Sequence, residues 1–160
     1  MNKTFALLAL TAAALVLSGC ATSPPPYDQV RKETDEVLQQ VVDLVPDPKE
    51  VVPTDEFAPY SCDDKLIFGT RRGSFYTGQW AVYVDESFDI PSFIAQFPNL
   101  LGDDWQAKDL GVPVSFAQVY LVREAPRMSL GISEKTIDGR KAIDLLAIAR
   151  CGTLPATPTP

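Results

Sequence analysis

Residues 128–151, MSLGISEKTIDGRKAIDLLAIARC, predict two long paired strands. In 128–133, Met-Ser-Leu-Gly-Ile-Ser, apolar and small side chains alternate, which is the period of a strand with one buried face. The dipeptide Asp138-Gly139 is typical of a tight hairpin turn. The mainly apolar residues 141–149 then predict a final strand that ends at Cys151. Strands joined by so short a turn pair antiparallel, so this stretch predicts an antiparallel sheet.

Segments upstream extend this sheet. Residues 66–68 and 74–84 are predicted to pair as a hairpin around the glycine-bounded loop 69–73. In the second of these strands, the even-numbered side chains are predicted to face the core. Residues 105–110 and 114–123 add two further strands, and the second of them alternates well enough to predict one buried face.

Two helices are predicted beside the sheet. Residues 27–45 carry apolar side chains at every third or fourth position and are followed by prolines, which predicts an amphipathic helix. Asp89 is predicted to cap a second, shorter helix, with Pro91 in its first turn. Residues 47–60, with three prolines, are expected to cross the body as an extended loop. This order of elements is typical of an α+β domain, with both helices packed on one face of the antiparallel sheet.

The first twenty residues predict export. Lys3 supplies positive charge, and residues 5–17 are uncharged and mainly apolar, as in a secretory signal peptide. Thirteen such residues are too few for a transmembrane helix, which needs roughly 20. The four residues that end this segment, Leu17-Ser18-Gly19-Cys20, resemble the lipobox of bacterial lipoproteins.

The lipobox resemblance implies that the signal peptide 1–19 is removed. It also implies that Cys20 carries acyl chains into the cell membrane, which would hold the protein on the extracytoplasmic side. Residues 20–26, with three consecutive prolines, are predicted to form a semi-rigid tether. Residues 27–152 then form a single domain, and the proline- and threonine-rich residues 153–160 form a disordered tail. The alternative is an ordinary secretory signal that leaves the protein free in solution.

If Cys20 is lipidated, the remaining two of the three cysteines are Cys62 and Cys151. An exported protein meets oxidising conditions, so we expect one disulfide between them. This disulfide would close a loop of about 90 residues. The alternative is a pair of isolated buried thiols.

Charge and composition exclude several classes of function. The chain has a net charge of −7, so no basic stripe is present to displace the counterions of a nucleic acid. It contains no histidine, which excludes Ser-His-Asp and Cys-His nucleophile pairs and removes the commonest metal ligand. The sequence therefore predicts no nucleic-acid partner, no metal and no cofactor.

Two acidic pairs, Asp63-Asp64 and Asp103-Asp104, are the candidates for catalysis. Two carboxyl groups can act as acid and base in glycoside cleavage, and this chemistry needs no histidine. Aspartates are also common in solvated turns, which is the alternative interpretation of both pairs.

The loop Gly-Thr-Arg-Arg-Gly at 69–73 is the only concentrated basic site of this acidic domain. Backbone amides and the guanidinium groups of Arg71 and Arg72 could bind an anion there. These two arginines are therefore the predicted contact with a partner or an anion. The alternative is an exposed basic hairpin tip without a ligand.

The chain also resembles the LppA-like lipoproteins of actinobacteria in its lipobox, in the helix that follows and in cysteines near the entry and the last strand of the domain. The resemblance implies an envelope lipoprotein and assigns no catalytic residue. We therefore expect a lipid-anchored, non-enzymatic binding or interaction module of the bacterial cell envelope, which contacts the membrane through Cys20 and an envelope protein or ligand through its domain. The alternatives are a carboxylate-based hydrolase of envelope glycans and a purely structural envelope protein.

Overall fold

The computed structural model describes residues 23–63 and 73–155, which form three helices and one seven-stranded antiparallel sheet. The helices are α1 (Tyr27–Leu44), α2 (Ile90–Ile94) and α3 (Phe97–Leu100). The strands are β1 (Lys49–Pro53), β2 (Tyr60–Ser61), β3 (Ser74–Val84), β4 (Trp105–Ala107), β5 (Gln118–Glu124), β6 (Arg127–Ile137) and β7 (Arg140–Gly152). Their order in the sheet is β1-β3-β7-β6-β5-β4, and β2 pairs with the beginning of β3. The predicted α+β class and antiparallel sheet are confirmed.

The long hairpin of β6 and β7 is also confirmed. Ile137 pairs with Arg140 at its closed end. Between them, Asp138 and Gly139 have φ angles of 53° and 77°. Positive φ at both central residues is the geometry of a type I′ turn, which matches the twist of the strands that it joins.

The expectation of an extended loop over residues 47–60 is wrong in part, because β1 lies within it and β2 begins at its last residue. β1 pairs with the end of β3 from Lys49 to Pro53. Proline is compatible with a strand at the edge of a sheet, where its missing N–H removes no bond to an inner neighbour. The predicted strand 66–68 lies outside the described residues, and the described partners of β3 are β1, β2 and β7.

The predicted second helix is divided into two, so the described residues contain three helices and not two. Asp89 caps α2 as expected, since its Oδ1 accepts a hydrogen bond from the Ser92 N–H at 3.1 Å. A single helix continued through Pro98 would lack the bond to the Ile94 carbonyl, and the proline ring would collide with that carbonyl. The chain therefore ends α2 at Ile94 and begins α3 at Phe97.

One hydrophobic cluster joins the helices to alternate positions of the strands. We call the sheet surface that carries these strand residues the cluster face. Side chains of the cluster include Leu38, Val41, Val45, Ile90, Ile94, Phe97, Val82, Leu121, Leu130, Ile132, Ile143 and Leu145. Tyr76 and Val82 of β3 are buried, which agrees with the predicted even-numbered core face of that strand.

Gly78 lets α1 lie close to β3. A Cβ atom at this position would lie 2.5 Å from Leu38 Cδ1 and 3.2 Å from Tyr76 Cε1. Leu38 is fully buried, so its side chain has little room to move away. The contact of α1 with the sheet therefore depends on the absence of a side chain at position 78.

Gly78→Ala is expected to lower the free energy of unfolding by about 1–3 kcal/mol, the usual cost of overpacking a core. The matched control is Gly131→Ala, in a neighbouring part of the sheet, where the new Cβ would meet Leu146 atoms at ordinary distances of 3.8 and 4.0 Å. This control is expected to be neutral or stabilising by about 0.5–1 kcal/mol, because alanine loses less backbone entropy than glycine. Urea denaturation measures both, and equal effects would contradict the packing described.

Both ends of the domain meet at one corner. The Thr153 N–H donates to the Pro25 carbonyl at 2.8 Å, and the Tyr27 N–H donates to the Thr153 carbonyl at 2.9 Å. The predicted disulfide is present between Cys62 and Cys151, with a Cα–Cα distance of 6.2 Å. We call these paired residues and the disulfide the terminal corner. Pro25 and Pro26 of the predicted tether and Thr153 of the predicted tail thus belong to the folded body, whereas 20–22 and 156–160 lie outside the described residues.

Replacing both cysteines, Cys62→Ala with Cys151→Ala, is expected to lower the free energy of unfolding by about 4–5 kcal/mol, because the unfolded chain is released from a long closed loop. The sequence separation of the two cysteines is 89 residues. Denaturant titration of the variant and of the reduced natural chain should give the same loss. A loss below about 1 kcal/mol would show that the disulfide does not restrict the unfolded chain as described.

Candidate binding site

The sheet surface opposite the cluster face carries a groove across β5, β6 and β7. Three rows of paired residues cross it, and the middle row is Tyr120, Gly131 and Leu146. Gly131 has no side chain, so a depression forms between its two neighbours in the row. The groove has a volume of about 270 Å³. We call it the sheet groove, and its lining includes Leu110, Gln118, Tyr120, Ser129, Gly131, Ser133, Asp144, Leu146 and Ile148.

The lining of the sheet groove is mainly apolar. Leu146, Ile148 and Leu110 supply hydrocarbon surface, and the hydroxyls of Ser129 and Ser133 lie on neighbouring rows of the same sheet surface. An apolar depression with a few polar groups at its margin is the usual form of a ligand site in a small protein. The groove therefore suits an apolar group whose position is fixed by one or two hydrogen bonds.

Asp144 is the acidic residue that lines the sheet groove, and its carboxylate is bound to two neighbouring side chains. Its Oδ2 lies 3.0 Å from Lys135 Nζ, and its Oδ1 accepts a hydrogen bond from Gln79 Nε2 at 3.1 Å. Both oxygens of this carboxylate therefore already have partners within the sheet. Asp144 and Lys135 together form an ion pair at one side of the groove, and their charges balance each other.

An exposed apolar loop borders the sheet groove. Residues 108–117 connect β4 to β5, and the loop is held at both ends, where the Lys108 N–H donates to the Tyr120 carbonyl at 2.9 Å and the Glu134 N–H donates to the Ala117 carbonyl at 2.8 Å. Four large apolar side chains of the loop are exposed, namely Leu110, Val112, Val114 and Phe116. Several exposed apolar side chains next to a groove are typical of an interaction surface.

This loop also corrects the predicted strand over residues 114–123, because β5 begins only at Gln118. Alternating apolar side chains predicted a strand, but residues 114–117 lie beyond Ala107, the last residue of β4, and so have no described strand to pair with on that side. On the other side the pairing with β6 begins at Gln118 and is continued only by the hydrogen bond from the Glu134 N–H to the Ala117 carbonyl. Residues 114–117 therefore stay outside the sheet.

The structure does not bring the predicted acidic residues together. Asp63 is exposed beside the beginning of β3, and Asp103 and Asp104 are exposed before β4, at the other edge of the sheet. Four strand spacings of about 4.8 Å separate β3 from β4, roughly 19 Å, whereas glycoside cleavage needs two carboxyl groups within about 10 Å. Asp64, Arg71 and Arg72 lie outside the described residues.

Within residues 23–63 and 73–155, no group of three or more cysteine or acidic side chains is placed to hold a metal ion. In the same residues, no helix is both long enough and apolar enough to cross a membrane. Comparisons of the chain with protein-family models, with curated proteins and with solved structures give no match.

The sheet groove differs from the catalytic and anion-binding sites predicted from the sequence. Those predictions followed charged residues, whereas the groove depends on an uncharged position, Gly131. A glycine inside a strand pattern can mark a place where another group approaches closely. The signal was thus present in the sequence, but its neighbours Tyr120 and Leu146 are 11 and 15 residues away in the chain and are paired with it only by the strand register.

A second polar cluster lies between α1 and the segment that joins β1 to β2. The Tyr76 hydroxyl donates to Asp35 Oδ1 at 2.9 Å, and the Tyr27 hydroxyl donates to Glu56. Burial, together with the hydrogen bond to Asp35, raises the pKa of Tyr76 to about 12. Burial and the contact with Glu56 raise the pKa of Tyr27 in the same direction. Both hydroxyls are donors to carboxylates, so this cluster stabilises the fold as long as the tyrosines keep their protons.

The raised pKa of Tyr76 predicts a loss of stability in alkaline solution. Unfolded tyrosine loses its proton near pH 10, so the contribution of Tyr76 is complete below that pH and is lost as the pH rises toward about 12. Tyr76→Phe should cost about 1 kcal/mol at pH 7 through the lost hydrogen bond. Its free energy of unfolding should then fall less steeply than that of the natural chain between pH 10 and 12. Urea titrations at several pH values test this, and parallel curves would contradict it.

Proposed function

We propose that this chain is a lipid-anchored, non-enzymatic binding module of the bacterial cell envelope, with the sheet groove as its binding site. The observation that carries the proposal is the apolar groove on a partly exposed sheet surface, bordered by the exposed loop 108–117. A module that only stiffened the envelope would gain nothing from leaving such a surface exposed, since exposed apolar area lowers solubility.

The anchor is supported by the sequence and by the disulfide. The pattern of residues 1–20 resembles that of a lipoprotein precursor, with Cys20 as the lipidated residue. The disulfide Cys62–Cys151 is compatible with an oxidising compartment outside the cytoplasm. On this proposal the domain lies on the extracytoplasmic side of the cell membrane, and Cys20 stands five residues before Pro25 at the terminal corner.

We further infer that α1 and α2 both cover the cluster face and that this arrangement leaves the groove side open. Leu38 and Val41 of α1 share one hydrophobic cluster with Ile90 and Ile94 of α2 and with alternate strand residues. Leu146, on the other surface of β7, is exposed. Packing of the helices on one side would thus seal the core and leave the other side for a ligand.

Binding agrees better with this surface than catalysis does. The chain has no histidine, and the carboxylate at the sheet groove is paired with Lys135. The lining suits a hydrophobic side chain or a short apolar segment of an envelope protein or ligand, because most of the surface that the groove offers is apolar.

The test is site-specific photocrosslinking of the full chain in a bacterial host. A diazirine-bearing aliphatic amino acid replaces Leu146 in the groove or, as control, Gln39, which is exposed on α1. We expect a defined crosslinked product from position 146 and none from position 39. Gly131→Val, which fills the depression, should remove that product while the fold is retained.

Mass spectrometry of the same material reads both parts of the proposal. The expected mature protein begins at Cys20 with added acyl mass. A protein that keeps Met1, or that begins at Cys20 without acyl mass, would contradict the anchor. A crosslinking pattern that is the same at positions 146 and 39, or that is unchanged by Gly131→Val, would contradict the groove as the binding site.

A further inference from the structure

Three large apolar side chains are exposed around the terminal corner. Phe57 is 101 % exposed, Tyr60 is 54 % exposed and Leu154 is 49 % exposed. None of the three lines the sheet groove or belongs to the loop 108–117. They are a second group of exposed apolar side chains, which the proposed binding site does not use.

Leu154 and Tyr60 are placed at the corner by their neighbours. Leu154 directly follows Thr153, which is bonded to Pro25. Tyr60 pairs with Phe75, the strand partner of Cys151, and its ring stacks on the Phe75 ring at 5.4 Å between centroids.

Phe57 is placed by its neighbour in the chain. Glu56 accepts the hydroxyl hydrogen bond of Tyr27, the first residue of α1, and it lies 3.8 Å from Arg31 in an ion pair. These contacts hold the segment between β1 and β2 against the beginning of α1. The Phe57 side chain next to them is left in solvent.

The length of the tether places a bilayer beside this surface. Cys20 precedes Pro25 by five residues, and a fully extended chain of that length spans at most about 18 Å. If Cys20 carries acyl chains, the bilayer surface therefore lies within about 18 Å of the corner at all times. Aromatic side chains with an apolar body, such as Phe57 and Tyr60, are favoured at the boundary between headgroups and acyl chains.

We propose that Phe57, Tyr60 and Leu154 insert into the interface of a zwitterionic bilayer and so fix the orientation of the anchored domain. The inference rests on the proposed lipid anchoring and goes beyond it, because an anchor alone leaves the domain free to turn. The apolar surface and the attachment point together define one side of the molecule that faces the lipid.

The charges near the corner specify the kind of lipid. Asp28, Asp55 and Asp63 are exposed there, and Glu56 already engages Arg31. Lys32 on the same part of α1 is exposed but lies 3.8 Å from Glu36. An acidic rim is repelled by anionic headgroups, so the described residues of this corner fit a bilayer of phosphatidylcholine or phosphatidylethanolamine.

Docking in this orientation would hold the sheet groove away from the lipid. The 13 residues of β7 rise from the corner over roughly 40 Å, and Leu146 stands six residues, about 20 Å, from Gly152. A partner in the aqueous space could then reach the groove at Leu146, whereas Ile148, at the near end of the groove, packs beside the disulfide of the corner. The turn at Asp138-Gly139 would be the part of the domain farthest from the membrane.

The experiment uses the chain from Cys20 onward, coupled by this free thiol to a maleimide phospholipid in phosphatidylcholine nanodiscs that contain a paramagnetic headgroup. The other two cysteines are joined in the disulfide and do not react. We expect strong broadening of the amide signals of Phe57, Tyr60 and Leu154 and little broadening at Asp138 and Gly139. Added phosphatidylglycerol should weaken this difference.

The test variant carries Phe57→Ser, Tyr60→Ser and Leu154→Ser. The matched control carries Val112→Ser, Val114→Ser and Phe116→Ser, which remove exposed apolar side chains elsewhere. The broadening at positions 57, 60 and 154 should weaken in the test variant and keep its strength in the control. Without a lipid attached, sedimentation with phosphatidylcholine vesicles should show binding that falls at least about tenfold in the test variant only.

Uniform broadening in the natural chain, or the same pattern in the test variant, would overturn the docking proposal. Stronger docking with phosphatidylglycerol would overturn the assignment of a zwitterionic lipid. Because the lipid is attached chemically, these results do not depend on acylation in the host. A missing acyl group on Cys20 would be seen by mass spectrometry and would contradict the anchor, whatever the outcome with nanodiscs.

Discussion

The pairing of β7 with β3 on one side and with β6 on the other is the constraint on which the rest of the structure depends. β7 is the longest strand, with 13 residues, and lies between the two 11-residue strands of the sheet. One of its surfaces carries Ile143 and Leu145 into the main cluster, and the other carries Leu146 and Ile148 to the groove. The closed core and the open site are thus the two sides of a single segment of chain.

A bulge near the end of β7 makes the terminal corner possible. Phe75 pairs with Cys151 and Thr77 with Ile148, so two steps along β3 match three along β7. The extra residue changes which surface the last side chains face. Arg150 reaches Glu33 of α1 in an ion pair at 2.7 Å, and Cys151 packs with Cys62 and Ile148. The disulfide and the helix are therefore both fixed to the same few residues of β7.

Local patterns in the sequence were enough to predict the elements whose geometry is local. The Asp138-Gly139 hairpin, α1 and the cap at Asp89 each depend on residues within one turn or one period. The disulfide followed from a count of cysteines together with the lipobox resemblance. The division of the second helix into α2 and α3, which falls between Ile94 and Phe97, was not predicted.

Features that depend on distant pairing were not predicted. β1 is a short, proline-containing segment that becomes a strand because the end of β3 offers it a partner. The sheet groove is formed by three strands in register. Gly131 creates a depression there only because Tyr120 and Leu146 are paired with it on either side. The acidic pairs were the predicted catalytic candidates, but their described members lie in exposed turns at opposite edges of the sheet.

The meeting of the two ends of the domain has a consequence for its topology. Pro25 and Thr153 are bonded backbone to backbone, so a short peptide link between residues 23 and 155 would close the described body into a ring with little added entropy cost. Such a ring could be opened near Gly111, in the exposed loop between β4 and β5, where no strand pair would be cut. The order of strands in space would then survive a different order in the chain, as in other domains with adjacent ends that accept circular permutation.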